Sequence, residues 1–202
     1  MGKHSKKFTR SYKSKYDAGT IHNCSGGEFI ILERIKATEE NGLKNARAVI
    51  RFTATGYTCN VQLSNIPQNK IKDKRLPTVY GIGYLDTDIT IPARSSGSLI
   101  RAMYDLWANM LKRVYGNYDT YYSDATVDKR WHSFKNFLNT VHNVPGYADW
   151  VQDHSMHLDK DHSGTRVYSM TTCEFITPAN NAKLAAQKRW HGINGPDVNI
   201  TD

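Results

Sequence analysis

The sequence predicts an α+β protein: a small N-terminal β module, then a helical region, then a compact strand–loop–strand–helix unit. Two changes of hydrophobic pattern support this fold class. Up to about residue 63, apolar and polar residues alternate in short segments, which is typical of half-buried strands. From Ser98 onward, apolar residues recur at helical spacing. The last helix is predicted over Ala179–Trp190, because Thr177 is a favourable N-cap and Pro178 suits the first helical position.

Three short segments rich in β-branched and aromatic residues predict the β module. They are Glu28–Ile35, Arg47–Phe52 and Tyr57–Leu63. The intervening Thr53–Gly56 is a hairpin signal. Val79–Tyr84 is predicted either as a fourth strand or as a segment that closes the module. The module would then span residues 23–88, with a shape similar to SH3-like barrels.

Two amphipathic helices are predicted after a linker rich in Thr, Ser, Gly and Pro at residues 86–98. The first runs from Ser98 to about Gly116 and the second from about Val127 to Val141. Their large apolar side chains are predicted to form the core of a unit that spans residues 99–191. The core residues predicted in this way are Leu99, Met103, Leu106, Trp107, Met110, Leu111, Val114, Trp131, Phe134, Phe137, Leu138 and Val141.

Composition bounds the class of protein. The 202 residues are 39% hydrophobic, enough to bury one core or two small ones. No run of about 18 apolar residues occurs, so the sequence predicts no transmembrane helix, no signal peptide and no membrane partner. The three cysteines are isolated, which disfavours a zinc site or a disulfide framework and fits a reducing, cytoplasmic location.

The net charge of +8 is unevenly distributed. Residues 1–22 are predicted to be a basic flexible tail, and residues 192–202 a flexible C-terminus. Basic surfaces concentrate near polyphosphates, so we expect a nucleic-acid partner, and charge alone does not separate DNA from RNA. A tail that serves only solubility is the alternative. The cations predicted to contact DNA are Lys3, Lys6, Lys7, Arg10, Lys13, Lys15, Lys70, Lys72, Lys74 and Arg75.

The most informative stretch lies between His157 and Asn181. It places imidazoles and oxygen donors at the end of one apolar segment, and a second apolar segment then leads into the predicted last helix. Carboxylate and amide oxygens are the donors that hard divalent cations prefer. The order of elements resembles the ββα-metal shape, in which a divalent cation lies between the end of the first strand and the helix.

This stretch resembles the nuclease core of phage-type HNH homing endonucleases, the ββα-metal group. That core follows the pattern Asp-His-x-Asp-Gly-Asn, then Asn-Leu-x-Trp-Val-Thr, then Asn. Without a gap, Asp159 and Asn181 fall on the two metal-binding positions, and Phe175–Thr177 falls on Trp-Val-Thr. Lys160 stands where the family has its general-base His, and Thr172 stands where it has the middle Asn. The same lysine occurs in a recurring Leu-Asp-Lys-Asp variant of these proteins.

Three further segments are similar to family motifs. They are Pro77–Gly83, Trp107–Tyr115 and Trp131–Phe137. With the core, the resemblance covers about residues 77–190. The order and spacing of these motifs are more specific than any one of them alone.

The resemblance implies a metal-dependent DNA endonuclease whose partner is double-stranded DNA. Asp159 and Asn181 would hold one Mg²⁺ or Mn²⁺, and Lys160, His157 or His162 would activate the attacking water. Asp159 and Asn181 have a simpler alternative as caps of a turn and a helix, and a loop histidine is often only solvated. Arg113 is predicted to contact phosphate, although a helix-end arginine also serves as a partner of the helix dipole.

Three functions remain open from the sequence. The first is a DNA endonuclease of phage homing type that hydrolyses phosphodiester bonds. The second is a non-catalytic nucleic-acid-binding protein on a decayed HNH core, which needs only the charge and the fold. The third is an accessory protein that binds an acidic protein partner.

Overall fold

A computed structural model describes residues 14–116, 124–160 and 165–193, with the backbone alone for 188–193. The protein has an α+β fold. Its chain divides into two compact units, Met1–Leu76 and Pro77–Asp202. The predicted C-terminal tail beyond 193 lies outside the described residues. So do six of the predicted functional residues: Lys3, Lys6, Lys7, Arg10, Lys13 and His162.

The first unit is an antiparallel sheet with the strand order β1-β2-β3-β4. The strands are β1 (Ile21–Cys24), β2 (Gly27–Ile35), β3 (Arg47–Phe52) and β4 (Thr58–Gln62). One face is apolar: Phe29, Ile31, Ala48 and Ile50 are completely buried. These residues alternate along β2 and β3, so the pleat directs them to one core. A register irregularity between Ile31 and Glu33 interrupts the β2–β3 pairing.

Strand β1 is a correction to the predicted flexible tail, whose last residues belong to the sheet unit. Gly19 donates its N–H to Ile31 O at 2.8 Å, and Ile31 returns a bond to Thr20 O at 2.9 Å. The ring of Tyr16 lies 5.2 Å from that of His22, which in turn stacks on Phe29. The flexible tail was predicted from its polar composition, and composition does not reveal that its last residues pair with β2.

The segment predicted to close the β module packs elsewhere. Val79–Tyr84 belongs to the second unit, where Val79 and Ile82 contact its core. Tyr84 pairs with the strand-like segment around Ser133, since Phe134 N–H donates to Tyr84 O at 2.9 Å. Any Cβ at Gly83 would collide with Leu111 and Trp107, so glycine lets this turn lie directly on the helix that follows.

In its described residues, the second unit has four α-helices and two short strand pairs. The helices are α1 (Leu99–Tyr115), α2 (Phe134–Thr140), α3 (Tyr147–Gln152) and α4 (Pro178–Ile193). The strands are β5 (Thr126–Val127), β6 (His157–Asp159), β7 (Val167–Tyr168) and β8 (Glu174–Ile176). β5 pairs with β7 in parallel, and β6 pairs with β8 antiparallel. Within the described residues, no helix is long and apolar enough to cross a membrane.

Helix α1 confirms the predicted first helix, and its buried face forms the centre of the second core. Trp107 is completely buried and donates its indole N–H to Trp131 O at 2.7 Å. Trp131, Phe134, Phe137 and Val141 are also buried there, as predicted. Leu99 is an exception among the predicted core residues, because it is 38% exposed.

The predicted second helix is interrupted. Residues 129–132 form a 3₁₀ turn after β5, and α2 begins only at Phe134. The Asp128 carboxylate accepts the N–H of Arg130 at 2.9 Å, which caps the turn. Ser133 accepts the N–H of Asn136 at 3.2 Å, which starts the helix. Side-chain capping of this kind competes with a continuous helix.

Candidate active site

On strands β6 and β8, one face is apolar and the other carries polar side chains beside the buried Ile176, which pairs with His157. Their register places Asp159 opposite Glu174 and Leu158 opposite Phe175. Opposed residues of antiparallel strands project to the same face. Leu158 and Phe175 are buried, and Phe175 stacks on Trp150 with the ring centres 5.3 Å apart. The other face therefore carries the half-buried Asp159 and Glu174, together with His157, which lies two residues before Asp159.

Helix α4 brings Asn181 to that polar face. Thr177 Oγ1 accepts the N–H of Asn180 at 3.2 Å, so it is the N-cap that the sequence predicted. The N–H of Asn181 bonds to Thr177 O at 3.0 Å. From this first turn, Asn181 Nδ2 lies 2.9 Å from His157 Nδ1. The contact joins the start of α4 to the strand that carries Asp159.

This contact assigns a donor and an acceptor, because the Asn181 amide nitrogen donates and His157 Nδ1 then accepts. When the amide Nδ2 donates to Nδ1, the neutral imidazole of His157 carries its proton on Nε2. The Asn181 amide oxygen is not used in the contact. Oδ1 of Asn181 and Nε2–H of His157 are therefore the groups that this pair presents to a ligand.

The donor set on this face fits a hard cation that keeps several water ligands. The structure brings together His157 and Asn181, and the strand face adds Asp159. Among residues whose placement is described, no group of three or more His, Cys, Asp or Glu is arranged to hold a metal. A cation here would depend on carboxylate and amide oxygens and on water, which suits Mg²⁺ better than a softer metal.

Glu174 is the residue that sequence reasoning missed. It stands opposite Asp159 in the register and so places a second carboxylate on the same face. Its position depends on which residues of β6 and β8 pair. A linear motif with no alternation of its own does not give that pairing.

Lys160 does not lie where an attacking water would be accessible. Its side chain is 2% exposed, and its Nζ lies 5.5 Å from the centre of the Tyr168 ring. Tyr168 is itself buried in the core of the second unit. Lys160 was predicted as a substitute for the general-base His, but its position is that of a core-facing residue.

The neighbouring Cys173 is chemically quiet. The pKa of its thiol is raised to about 12, chiefly by burial and also by the charge of Asp159, against the opposing effects of hydrogen bonds with Ser169 and Thr172 and of the charge of Lys160. Thr172, which stands at the family's middle Asn, donates to Val167 O at 2.5 Å and also contacts Ser169 Oγ. These bonds fix the turn that leads into β8.

A cleft of about 340 Å³ opens beside His157, between α1 and the segment 154–158. Arg113, exposed at the C-terminal end of α1, lies on its wall. Asp105 also lies there, but it holds Arg101 through two bonds of 2.5 and 2.9 Å. The cleft therefore combines a cation with the imidazole that contacts Asn181.

The basic cluster of the first unit, residues 70–75, is held firmly by its one acid. Asp73 is 7% exposed and accepts the Thr55 hydroxyl at 2.6 Å and the N–H of Arg75 at 2.8 Å. Any Cβ at Gly26 would lie 2.7 Å from Asp73 N, so the turn between β1 and β2 packs directly on this segment. The three exposed cations of the cluster are Lys70, Lys72 and Arg75, and Lys74 is half-buried.

Lys15 extends this basic surface. It lines an open groove of about 530 Å³ together with His22 and Asn69, the residue that precedes the cluster. Asn69 Oδ1 accepts the N–H of Ser25 at 2.5 Å, which ties the groove to the β1–β2 turn. Two of the predicted DNA-contacting segments are thus neighbours on the first unit.

No protein-family model, curated protein or solved structure matches this chain. The function is therefore inferred from the residues and their geometry.

Proposed function

We propose that this protein is a DNA-binding, metal-dependent endonuclease of the phage HNH type. The observation that carries the proposal is the hydrogen bond between Asn181 and His157. It holds the first turn of α4 against the strand that bears Asp159, so the two residues matched to metal ligands belong to one strand–strand–helix unit. The gapless motif supports the same assignment.

Asp159 and Asn181 are proposed to hold one Mg²⁺ or Mn²⁺. When bound, such an ion stabilises the charge that develops on the phosphate and on the leaving 3′ oxygen. His157 would orient Asn181, because its Nδ1 engages the amide nitrogen and leaves Oδ1 for the cation. Activation of water is assigned to His162, since Lys160 is buried and the proton of His157 is on Nε2.

DNA is proposed to be gripped by the tail cations together with Lys15 and the basic cluster. Each cation that neutralises a phosphate releases a counterion, so binding of this kind depends steeply on salt. The rigid attachment of the cluster through Asp73 and Gly26 favours its use as a fixed surface rather than a solvated loop.

The second candidate is a non-catalytic DNA-binding protein on a decayed core. One observation favours it: Lys160, which is matched to the general base, packs over Tyr168 instead of facing solvent. This candidate keeps the charge and the fold and needs no chemistry at Asp159.

Nicking of supercoiled plasmid tests the proposal. The wild type is expected to nick with Mg²⁺ or Mn²⁺ and to stop when EDTA is added. Asp159→Asn should reduce the rate roughly 10²-fold or more, because a metal supplies several kcal/mol of stabilisation. Asp149→Asn, an exposed aspartate of α3, is the matched control and should keep the wild-type rate. DNA binding without nicking with either ion would favour the non-catalytic candidate.

A further inference from the structure

The cleft beside His157 carries more positive charge than its lining first indicates. Asp105 is the carboxylate on its α1 wall, and its two bonds to Arg101 largely neutralise it. Arg113 has no carboxylate partner within the described part of the chain, and its side chain is exposed. A guanidinium without a partner on the wall of a concave site suits a phosphate, which it can bind through two parallel bonds.

His157 supplies a second donor from the opposite wall. Its Nδ1 is engaged by Asn181, so the neutral ring has N–H at Nε2. The half-buried ring also lines the cleft. His154 lies on the same wall, with its ring 4.9 Å from that of Trp150. Two donors on facing walls of a cleft of about 340 Å³ suit an anionic group with an attached sugar.

We propose that this cleft is a subsite for a DNA backbone phosphate next to the one that is cut, bound by Arg113 and by Nε2–H of His157. The inference rests on the proposed nuclease function. His157 and Asp159 are two residues apart on one strand face, a separation of about 7 Å. A DNA strand that places one phosphate at Asp159 therefore passes the cleft with the next part of its backbone. Arg113 then positions the strand and does not take part in the chemistry.

Binding in the absence of metal tests the subsite independently of cleavage. The full chain, labelled with ¹⁵N in its histidines, is titrated in EDTA with a thymidine tetranucleotide, and the ring nitrogens of His154 and His157 are followed. Saturable shifts are expected. The methylphosphonate analogue of the same tetranucleotide lacks the backbone charge and should give no shifts.

Arg113→Gln should weaken the tetranucleotide about tenfold, the effect of losing one charge-assisted contact. Lys112→Gln removes the same charge from the same helix turn but does not line the cleft, and it should change affinity less than twofold. In plasmid nicking, Arg113→Gln should raise KM with little change in kcat. A cooperative thermal transition in both variants verifies that they are folded.

The two proposals fail in different ways. If the wild type does not nick but the ring shifts and the Arg113 effect are present, the phosphate subsite stands and the nuclease assignment fails. If nicking occurs but Arg113→Gln behaves like Lys112→Gln, the subsite is wrong. Ring signals that do not move with the tetranucleotide also overturn it.

Discussion

Lys160 is a buried lysine next to Asp159, the proposed metal ligand. The motif matches it to a general base, whereas its Nζ packs over the Tyr168 ring and its side chain is 2% exposed. A base must reach the water that it deprotonates. The burial of Lys160 supports a role in packing against Tyr168.

Substitution of Lys160 by Arg separates these roles. Arginine keeps the positive charge and the contact with the ring, but it cannot deprotonate water. We expect Lys160→Arg to retain nicking within about tenfold. The larger side chain in a packed site should lower the free energy of unfolding by about 1–3 kcal/mol. Loss of nicking in a variant that still melts cooperatively would identify Lys160 as the base. Lys160→His should not raise the nicking rate, because the buried position does not reach the attacking water.

His132 makes the stability of the second unit sensitive to pH. Its imidazole is packed behind α1, with Nε2 3.3 Å from the Tyr115 hydroxyl. Burial lowers the pKa of His132 below its ordinary value, although the nearby Asp128 charge and a backbone bond with Val127 oppose this. The neutral ring therefore stabilises the fold above about pH 6.5, and that contribution is lost as the pH falls through the lowered pKa.

The melting temperature should thus fall between pH 7.5 and pH 5.5, and His132→Gln should reduce this fall. Glutamine keeps a polar group near the Tyr115 hydroxyl but does not titrate. His142→Gln, at an exposed position, is the control. An identical pH dependence of the melting temperature in the wild type and in His132→Gln would show that His132 is not the source of the pH sensitivity.

Helix α4 depends on one cap to place Asn181. Thr177 supplies that cap by accepting the N–H of Asn180, and its carbonyl accepts the N–H of Asn181. Thr177→Ala should lower the free energy of unfolding by about 1 kcal/mol, measured by urea denaturation. Thr177→Ser retains the hydroxyl and should lie near the wild type. Equal losses in both variants would show that the methyl group, not the cap, supplies the stability.

The elements that the sequence predicted well are those with local signals. Helix α1 follows the period of Met103, Trp107 and Met110, and it ends at Gly116. Helix α4 follows the Thr177–Pro178 start. Both signals lie in the helix or next to it, so no distant partner is needed to specify where the helix forms.

The elements that were missed depend on partners in other segments. Strand β1 exists because it pairs with β2, and α2 starts late because Ser133 and Phe134 pair with Tyr84 instead of continuing a helix from residue 129. The candidate site divides in the same way. Asp159 and Asn181 could be selected from a linear motif, whereas the bond from Asn181 to His157 requires the folded unit. The burial of Lys160 requires Tyr168 in place.

The whole molecule combines a basic first unit with a second unit that carries the candidate chemistry. We expect duplex DNA affinity to depend strongly on salt. Deletion of residues 1–13 removes five cations, Lys3, Lys6, Lys7, Arg10 and Lys13, but leaves Tyr16 on the sheet unit. If about four of these neutralise phosphates, the slope of log affinity against log salt should become shallower by about 3.6.

A variant with the same five cations changed to Gln is the matched form of this deletion. It should show the same shallower slope, because the effect belongs to the charges and not to the length of the tail. A slope that stays unchanged in both forms would exclude the tail from DNA binding.

The most direct test of the central claim is the location of Mn²⁺ in crystals of the protein, determined from its anomalous scattering. We expect one Mn²⁺ peak between β6 and α4, within about 2.0–2.6 Å of a carboxylate oxygen of Asp159 and of Oδ1 of Asn181. The peak should be absent from Asp159→Asn crystals grown in the same solution. A Mn²⁺ peak that contacts neither residue, or Asp159 and Asn181 oxygens held more than about 8 Å apart, would contradict the claim.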